Sequence, residues 1–262
     1  DMERITAIRI LNGMLLEDMP QYTAYAASFP RDAVSQRRLL RALMNLRPPL
    51  PLRQDFLELQ DAFLSAEREE KGVVDIWTLP SAAADPRLIL WQGDITRLQA
   101  DAVVNAANSA LLGCFHPCHG CIDNAIHSAA GLQLREECHR IMEVQEHEEA
   151  VGQAKLTGGY NLPARYVLHT VGPLTNGKPT ERQRKELASC YASCLQLAAE
   201  RQLETVAFCC ISTGEFRFPN REAAKTAVDT VTGFLQTASS LKRVIFNVYK
   251  DIDYGIYREL LG

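Results

Sequence analysis

The sequence predicts an α/β fold over residues 73–262, a mostly parallel sheet covered by helices on both faces, preceded by a helical segment over 1–72. Three observations predict it. From residue 73 onward, short apolar β-branched runs alternate with longer stretches of helical periodicity. Polar turns follow the apolar runs, where open α/β sheets bind their ligands. The chain has 262 residues, 47% of them hydrophobic and 23% charged, enough for one large domain or two modest ones.

The N-terminal segment comes first. Leu39, Leu43 and Leu46 recur at helical spacing, and Pro48-Pro49 then stop that element. Phe56, Leu59 and Phe63 share one face of a second amphipathic run. The segment holds no catalytic or metal-binding constellation, so residues 1–72 read as a helical extension packed on the main domain, structural in preference to partner-binding, which should affect stability or target choice and not the chemistry. Beyond it, strands are predicted over 73–79, 87–92, 101–106, 166–171, 205–211 and 243–249. Helices are predicted over 122–130, 132–147, 181–201, 219–236 and 252–261.

Composition narrows the function classes. The formal net charge is −4, so a partner held mainly by phosphate contacts, such as duplex nucleic acid, is not expected. No apolar run approaches the roughly 20 residues of a membrane helix. No charged-then-apolar leader is legible, and a cytoplasmic protein is expected. Eight cysteines are too few for a disulfide scaffold. Cys190, Cys194, Cys209 and Cys210 read as small buried hydrophobes in a reducing compartment.

The candidate site residues fall after the strands. Asp94, following Gly93, can accept a hydrogen bond from an exocyclic amine, or it can cap the turn that starts at Thr96. Asn105 and Asn108 flank two alanines, which let a ligand approach the backbone, and their carboxamides suit ribose hydroxyls. Ser212-Thr213-Gly214-Glu215-Phe216-Arg217-Phe218-Pro219 follows a buried strand. Consecutive N–H groups in such a turn form an anion nest, and Pro219 can open the next helix. No GxxxxGK[ST] loop occurs. Phe216 can shield a bound sugar or fill the core.

The densest signal is Cys114-Phe115-His116-Pro117-Cys118-His119-Gly120-Cys121, followed by Ile122-Asp123-Asn124-Ala125-Ile126-His127. Thiolates and imidazoles this close in sequence suit one zinc ion. Cys114, His116, Cys118, His119, Cys121 and His127 are all candidates, and Cys138 with His139 lie within a predicted helix. Three ligands from the loop leave an open coordination position, the catalytic pattern. Asp123 can cap the following helix, or act as a general base beside the metal.

Taken in order, these pieces resemble the macrodomain, the ADP-ribose-binding module. The resemblance rests on Gly93-Asp94-Ile95-Thr96, on Asp101-Ala102-Val103-Val104-Asn105-Ala106-Ala107-Asn108-Ser109 and on Asp123-Asn124-Ala125-Ile126-His127. It continues through Gly152-Gln153-Ala154, Thr157-Gly158-Gly159-Tyr160-Asn161-Leu162-Pro163 and the Ser212–Pro219 turn. Most macrodomains carry a glycine run before the residue at 123. Here Cys114-x4-His119-x-Cys121 replaces it, which resembles the zinc-dependent macrodomain branch, as does the helical extension.

That resemblance implies a three-layer α/β/α domain with a mixed, mostly parallel sheet. It implies one Zn²⁺ per chain on Cys114, His119 and Cys121, with Cys118 and His116 as bystanders. Asp94 and the Ile95 backbone would hold adenine, the Ser212–Phe216 loop, with Thr213, Gly214 and Glu215, the diphosphate, and Asn108 the ribose beside the scissile bond. Cys121, Asp123 and Asn124 are expected to line the same site, with Asn108 and Asp123 catalytic, Asp123 because it lies two residues after Cys121. The implied activity is hydrolysis of mono-ADP-ribose from an Asp or Glu side chain of a protein. The branch is linked to reversal of modification by a bacterial sirtuin, on a lipoyl-carrier protein. The alternatives are a non-catalytic ADP-ribose reader with structural zinc, and a zinc-stabilised interaction domain without nucleotide.

Overall fold

A computed structural model describes residues 2–262. The extension folds as α1 (Met2–Asp18), α2 (Thr23–Ala27), α3 (Ala33–Leu46) and α4 (Gln54–Lys71). Asp32 caps α3 by accepting from the Ser35 N–H at 2.9 Å. Leu39, Leu43, Phe56 and Phe63 meet Ile8, Leu11 and Leu15 in a core of the extension's own, closed by Leu132 from the next domain. The helical spacing therefore identified the correct buried faces. α4 ends at Lys71, and Gly72 leaves it at φ +93°.

The second unit contains β1 (Val74–Asp75), β2 (Leu88–Gln92), β3 (Leu98–Gln99), β4 (Ala102–Ala106), α5 (Ile122–Ala130) and α6 (Leu132–Gln145). It continues with β5 (Ala154–Gly158), β6 (Tyr166–Thr170), α7 (Glu181–Glu200), β7 (Thr205–Phe208), α8 (Asn220–Leu235), β8 (Arg243–Val248) and α9 (Asp251–Leu261). Six strands pair in the order β2-β8-β7-β4-β6-β5. All neighbours are parallel except β5 with β6. α5 packs with α6 on one face, while α7, α8 and α9 pack side by side on the other. This is the three-layer α/β/α sandwich with a mixed, mostly parallel sheet. The extension lies outside α5, which touches both α3 and α4. Among the described residues no helix is long and apolar enough to cross a membrane.

The differences from expectation have local causes. The predicted strand 73–79 pairs over only two residues, in a small parallel sheet with β3, because Asp75 caps a 3₁₀ turn at Ile76–Thr78. The strand predicted over 205–211 stops at Phe208, so Cys209 and Cys210 lie beyond the ladder. Pro219 caps α8 and does not open it. β5 was not expected: Ala154-Lys155-Leu156-Thr157-Gly158 has one large aliphatic residue and lies at the sheet edge. Its pairing is set by the tight connection to β6, where the Gly159 N–H donates to the Arg165 carbonyl at 2.8 Å.

A Cβ on Gly159 would lie 2.0 Å from the Ala164 carbonyl oxygen. Gly159→Ala should therefore force the turn open and cost roughly 1–3 kcal/mol. Denaturant unfolding measures this; an unchanged midpoint would show that the turn adapts without cost.

Candidate functional site

The chain leaves β4 into the loop over 107–121 and enters α5 at its far end. The ligand atoms of Cys114, His119 and Cys121 lie within 4.8 Å of one another. The Cys114 Sγ is 3.8 Å from His119 Nδ1. Burial, with the Cys114 thiol beside it, pushes the Cys121 thiol up to about 12. Two crowded sulfurs and an imidazole form a donor set that a zinc ion fits, since a cation relieves the penalty on both thiolates. His119 Nε2 faces Glu215 Oε1 at 3.0 Å, leaving Nδ1 for a ligand. Cys118 and His116 stand outside the trio. Cys118 sits at φ +56° with its thiol against the Arg38 carbonyl, and the His116 carbonyl accepts from Asn124 Nδ2.

Asp123 occupies the first turn of α5 and is not its cap. Cys121 is the cap, its sulfur accepting from the Asn124 N–H at 3.3 Å. The Asp123 carboxylate is buried, accepts from Asn105 Nδ2 at 2.8 Å, and lies 3.5 Å from His127 Nε2. Asn105 also approaches His169 Nδ1 at 3.2 Å, and His169 Nε2 meets the Thr157 hydroxyl at 2.9 Å. Asn105 is fully buried in this chain of polar groups, which removes it from the expected ribose contacts. Asn108 stays exposed at the rim, donating to the Gly113 carbonyl at 3.2 Å. A second soft trio, His127, Cys138 and His169, also lies within 4.8 Å. Its members are buried and His169 is already partnered at both nitrogens, so this group reads as core.

The residues expected to hold a nucleotide lie beside β2 and after β7. Asp94 performs the capping role: its Oδ1 accepts from the Thr96 N–H at 2.9 Å and hydroxyl at 2.6 Å. Its Oδ2 meets Lys71 Nζ at 2.8 Å. Burial pushes the Asp94 carboxyl up, but Lys71 and Thr96 outweigh it and the group ends below its ordinary value. The Ile95 side chain is in the core, so only its backbone can serve a ligand. The Ser212 turn is left-handed at Ser212 (φ 65°) and Arg217 (φ 60°), and closes through the Phe218 N–H to the Ser212 carbonyl at 2.8 Å. The Ser212 hydroxyl is buried without a partner in the protein. A Cβ on Gly172 would lie 2.0 Å from that hydroxyl and 2.8 Å from an Ile211 methyl, so glycine there keeps the space beside Ser212 open. Thr213 bonds back to the Cys210 carbonyl, Gly214 and Glu215 are exposed, and Phe216 is half-buried.

The extension contributes residues that the sequence reading did not assign. Arg41 donates twice to Asn124 Oδ1, at 3.1 and 2.8 Å. With Ser128 and the His116 carbonyl as further partners, the Asn124 side chain is fully engaged inside the protein, and it positions the loop. Asn45 Oδ1 accepts from the Cys118 N–H at 2.8 Å, and Asn45 Nδ2 donates to Ser128 at 3.0 Å. Arg41 and Asn45 are one helical turn apart on α3; a polar pair at that spacing beside Leu39 and Leu43 was the available signal.

Residues 104–227 match the family model of the macro domain. A protein-ADP-ribose hydrolase of Treponema medium is 45% identical over 250 residues, 95% of this chain and 95% of that protein. A protein-ADP-ribose hydrolase of Staphylococcus aureus (strain Mu50 / ATCC 700699) is 49% identical over 225 residues, 86% of this chain and 84% of that protein. Among solved structures, a Trypanosoma brucei macrodomain in complex with ADP-ribose matches with a TM-score of 0.66 at 31% identity, covering 84% of this chain and 95% of that one. An Oceanobacillus iheyensis macrodomain with ADP matches with a TM-score of 0.60 at 37% identity, covering 66% of this chain and 88% of that one.

The buried polar chain makes stability depend on pH. Burial holds His169 down at about 3, and burial together with His169 and Arg135 holds His127 well below its ordinary value. Each depressed histidine contributes stability above the unfolded value of 6.5 that is lost as pH falls. Burial pushes Asp123 to about 6 against the Asn105 hydrogen bond, so its contribution is present below 3.8 and lost as pH rises through about 6. Two histidines oppose one carboxylate, and unfolding takes up about one net proton between about pH 6 and 5. Stability should fall by about 1.4 kcal/mol per pH unit on acidification through that window. Unfolding curves across it test this, and a flat or rising stability would show that Asp123 outweighs the histidines.

Proposed function

The chain belongs to the macro domain family, and on that premise we propose that it is a zinc-dependent hydrolase that removes mono-ADP-ribose from an acidic side chain of a protein. The observation that carries the reading is the meeting of Cys114, His119 and Cys121 at the start of the helix that bears Asp123. Relatives named protein-ADP-ribose hydrolase, similar over 84–95% of their own length, support hydrolysis as the activity. A lipoyl-carrier protein modified by a bacterial sirtuin is the target that kinship suggests.

The chemistry that zinc supplies in such a site is polarisation of a nearby oxygen. The rest belongs to the chain. Asp94 keeps lone pairs for the adenine amine while Lys71 and Thr96 hold its carboxylate still. The unpartnered Ser212 hydroxyl and the N–H groups of its turn receive the diphosphate. Glu215, from the turn that would hold the diphosphate, orients His119 through its Nε2. Asn108 stands at the rim for the distal ribose. Asp123, pushed to about 6 by burial, is tuned to accept a proton from the attacking water near neutral pH.

One observation favours the alternative of a non-catalytic reader with structural zinc: the Asp123 carboxylate is buried and bonded to Asn105. Single-turnover assays on an acid-linked ADP-ribosylated protein separate the two readings. Turnover should vanish with chelator, and Asp123→Asn should keep zinc and ADP-ribose binding while losing about 10²–10⁴ in rate. Near-normal turnover in either case would reject the mechanism. Asp94→Ala should weaken ADP-ribose binding by about 1.5–3 kcal/mol in calorimetry, the range for a hydrogen bond to a charged group. Unchanged affinity would remove Asp94 from the adenine site.

A further inference from the structure

The extension and the macrodomain enclose a cavity of 770 Å³ alongside α5. Its lining includes neither the Ser212 turn, nor Asn108, nor any of the three clustered metal-loop residues. It touches the described site at two edges, Asp94 and Cys118. α3 supplies Arg37, Arg38 and Arg41 to its wall, and α4 supplies Arg68 and Lys71. Arg4 of α1 and Arg97, after β2, complete the set. Seven cationic side chains thus face three carboxylates, Glu67, Glu70 and Asp94. This occurs in a chain whose net charge is −4, so the whole-chain balance conceals a basic cleft.

The three carboxylates are already matched. Glu67 takes Arg37 at 2.8 Å and Arg4 at 3.2 Å, Glu70 takes Arg4 at 2.7 Å, and Asp94 takes Lys71 at 2.8 Å. Arg68 reaches Glu69, which lies outside the lining. Three guanidinium groups are left without a counter-charge. Arg41 bonds only to the Asn124 amide oxygen, and Arg97 only to the Gly72 carbonyl. The exposed Arg38 side chain has no partner among the described residues. Guanidinium groups in a concave site without acceptors for their remaining N–H groups are built for an anion.

We propose that this cleft docks a carboxylate-rich segment of the modified protein, next to the side chain that carries ADP-ribose. The proposal rests on the reading of the protein as a hydrolase of ADP-ribosylated proteins. Cys118, on the loop that would hold the scissile bond, lines the cleft, so a protein attached there lies beside it. A phosphate ligand fits less well. Phosphate sites are commonly built on helix N-termini, but the start of α3 is already capped by Asp32, which accepts from the Ser35 N–H, and α4 faces the cleft with its last turns. Recognition falls to guanidinium forks alone, which pair with carboxylates in two-pronged fashion. The cations also steer an acidic partner toward the site, an effect that salt screens.

The test uses the full-length protein and Arg38→Glu, an exposed substitution whose side chain holds no part of the fold. A fluorescein-labelled peptide of alternating Glu and Gly should bind the wild type at low salt, and a Lys-Gly peptide should not. Arg38→Glu should weaken the acidic peptide about tenfold, with unchanged ADP-ribose affinity. On an acid-linked ADP-ribosylated protein the variant should raise KM about tenfold with kcat within about twofold, and added salt should narrow the gap. No binding of the acidic peptide by wild type, equal binding by the variant, or tighter binding of tripolyphosphate than of the peptide would each overturn the proposal. Peptide binding without turnover of any ADP-ribosylated protein would reject the hydrolase reading while leaving the anion site standing.

Discussion

Arg135 of α6 is 3% exposed and gives its N–H groups to five backbone carbonyls. Three of them, of Met44, Asn45 and Arg47 at 3.2, 2.8 and 2.7 Å, end α3 of the extension. The other two, of Leu112 and Cys114 at 2.7 and 3.3 Å, lie in the loop that carries the Cys114, His119 and Cys121 cluster. The Phe115 ring lies against the same guanidinium, with its centroid at 3.8 Å. Helix C-termini leave carbonyls without intrahelical partners, and a cation there also meets the negative end of the helix dipole. One buried charge therefore satisfies the end of α3 and fixes Cys114 in the same act. Burial lowers this guanidinium to about 10, offset by Asp123 and still charged at neutral pH. Each orphaned buried carbonyl costs about 1–3 kcal/mol, so extension, loop and α6 are coupled through this side chain.

That coupling changes the standing of the extension. It has its own apolar core, as an independent helical unit should. Its contact with the macrodomain is nonetheless largely polar and specific. Gln60 caps the start of α6 through the Leu132 N–H at 2.9 Å, and Asp61 holds Asn161 at 2.8 Å. Lys71 reaches Asp94, Arg41 reaches Asn124, and Asn45 reaches Cys118. The extension thus touches candidate-site residues on both sides, Asp94 through Lys71 and Asn124 through Arg41.

The centre of the site has the character of a buried polar network. Asn105, Asp123, His127, His169 and Thr157 run from β4 through α5 to β6 and β5 with few solvent contacts. Such networks rigidify a core when each member is satisfied. The unpartnered Nε2 of His127 beside the Asp123 carboxylate is the loose joint in this one. Above this network the Ser212 turn is joined to His119 through Glu215 at 3.0 Å.

Periodicity alone determined the helical extension, the alternating α/β rhythm and most element boundaries, because apolar spacing records which faces are buried. The loop spacing marked Cys114, His119 and Cys121 as one donor set once the family resemblance was recognised, since ligands close in sequence need little help to meet. Edge strand β5 stayed hidden because its pairing is supplied by a neighbour and not by its own apolar pattern. The inward turn of Asn105 and Asn124, the capping of α5 by Cys121, and the partners of Arg41, Asn45, Lys71 and Arg135 were decided only in three dimensions. Each depends on a residue far away in the chain: Arg41 and Asn124 are 83 positions apart, and Arg135 and Asn45 are 90 apart. A polar side chain carries no mark in sequence of which carbonyl or carboxylate will face it. Apolar burial is a property of one element, whereas a hydrogen bond is a property of two, and only packing brings the second into reach.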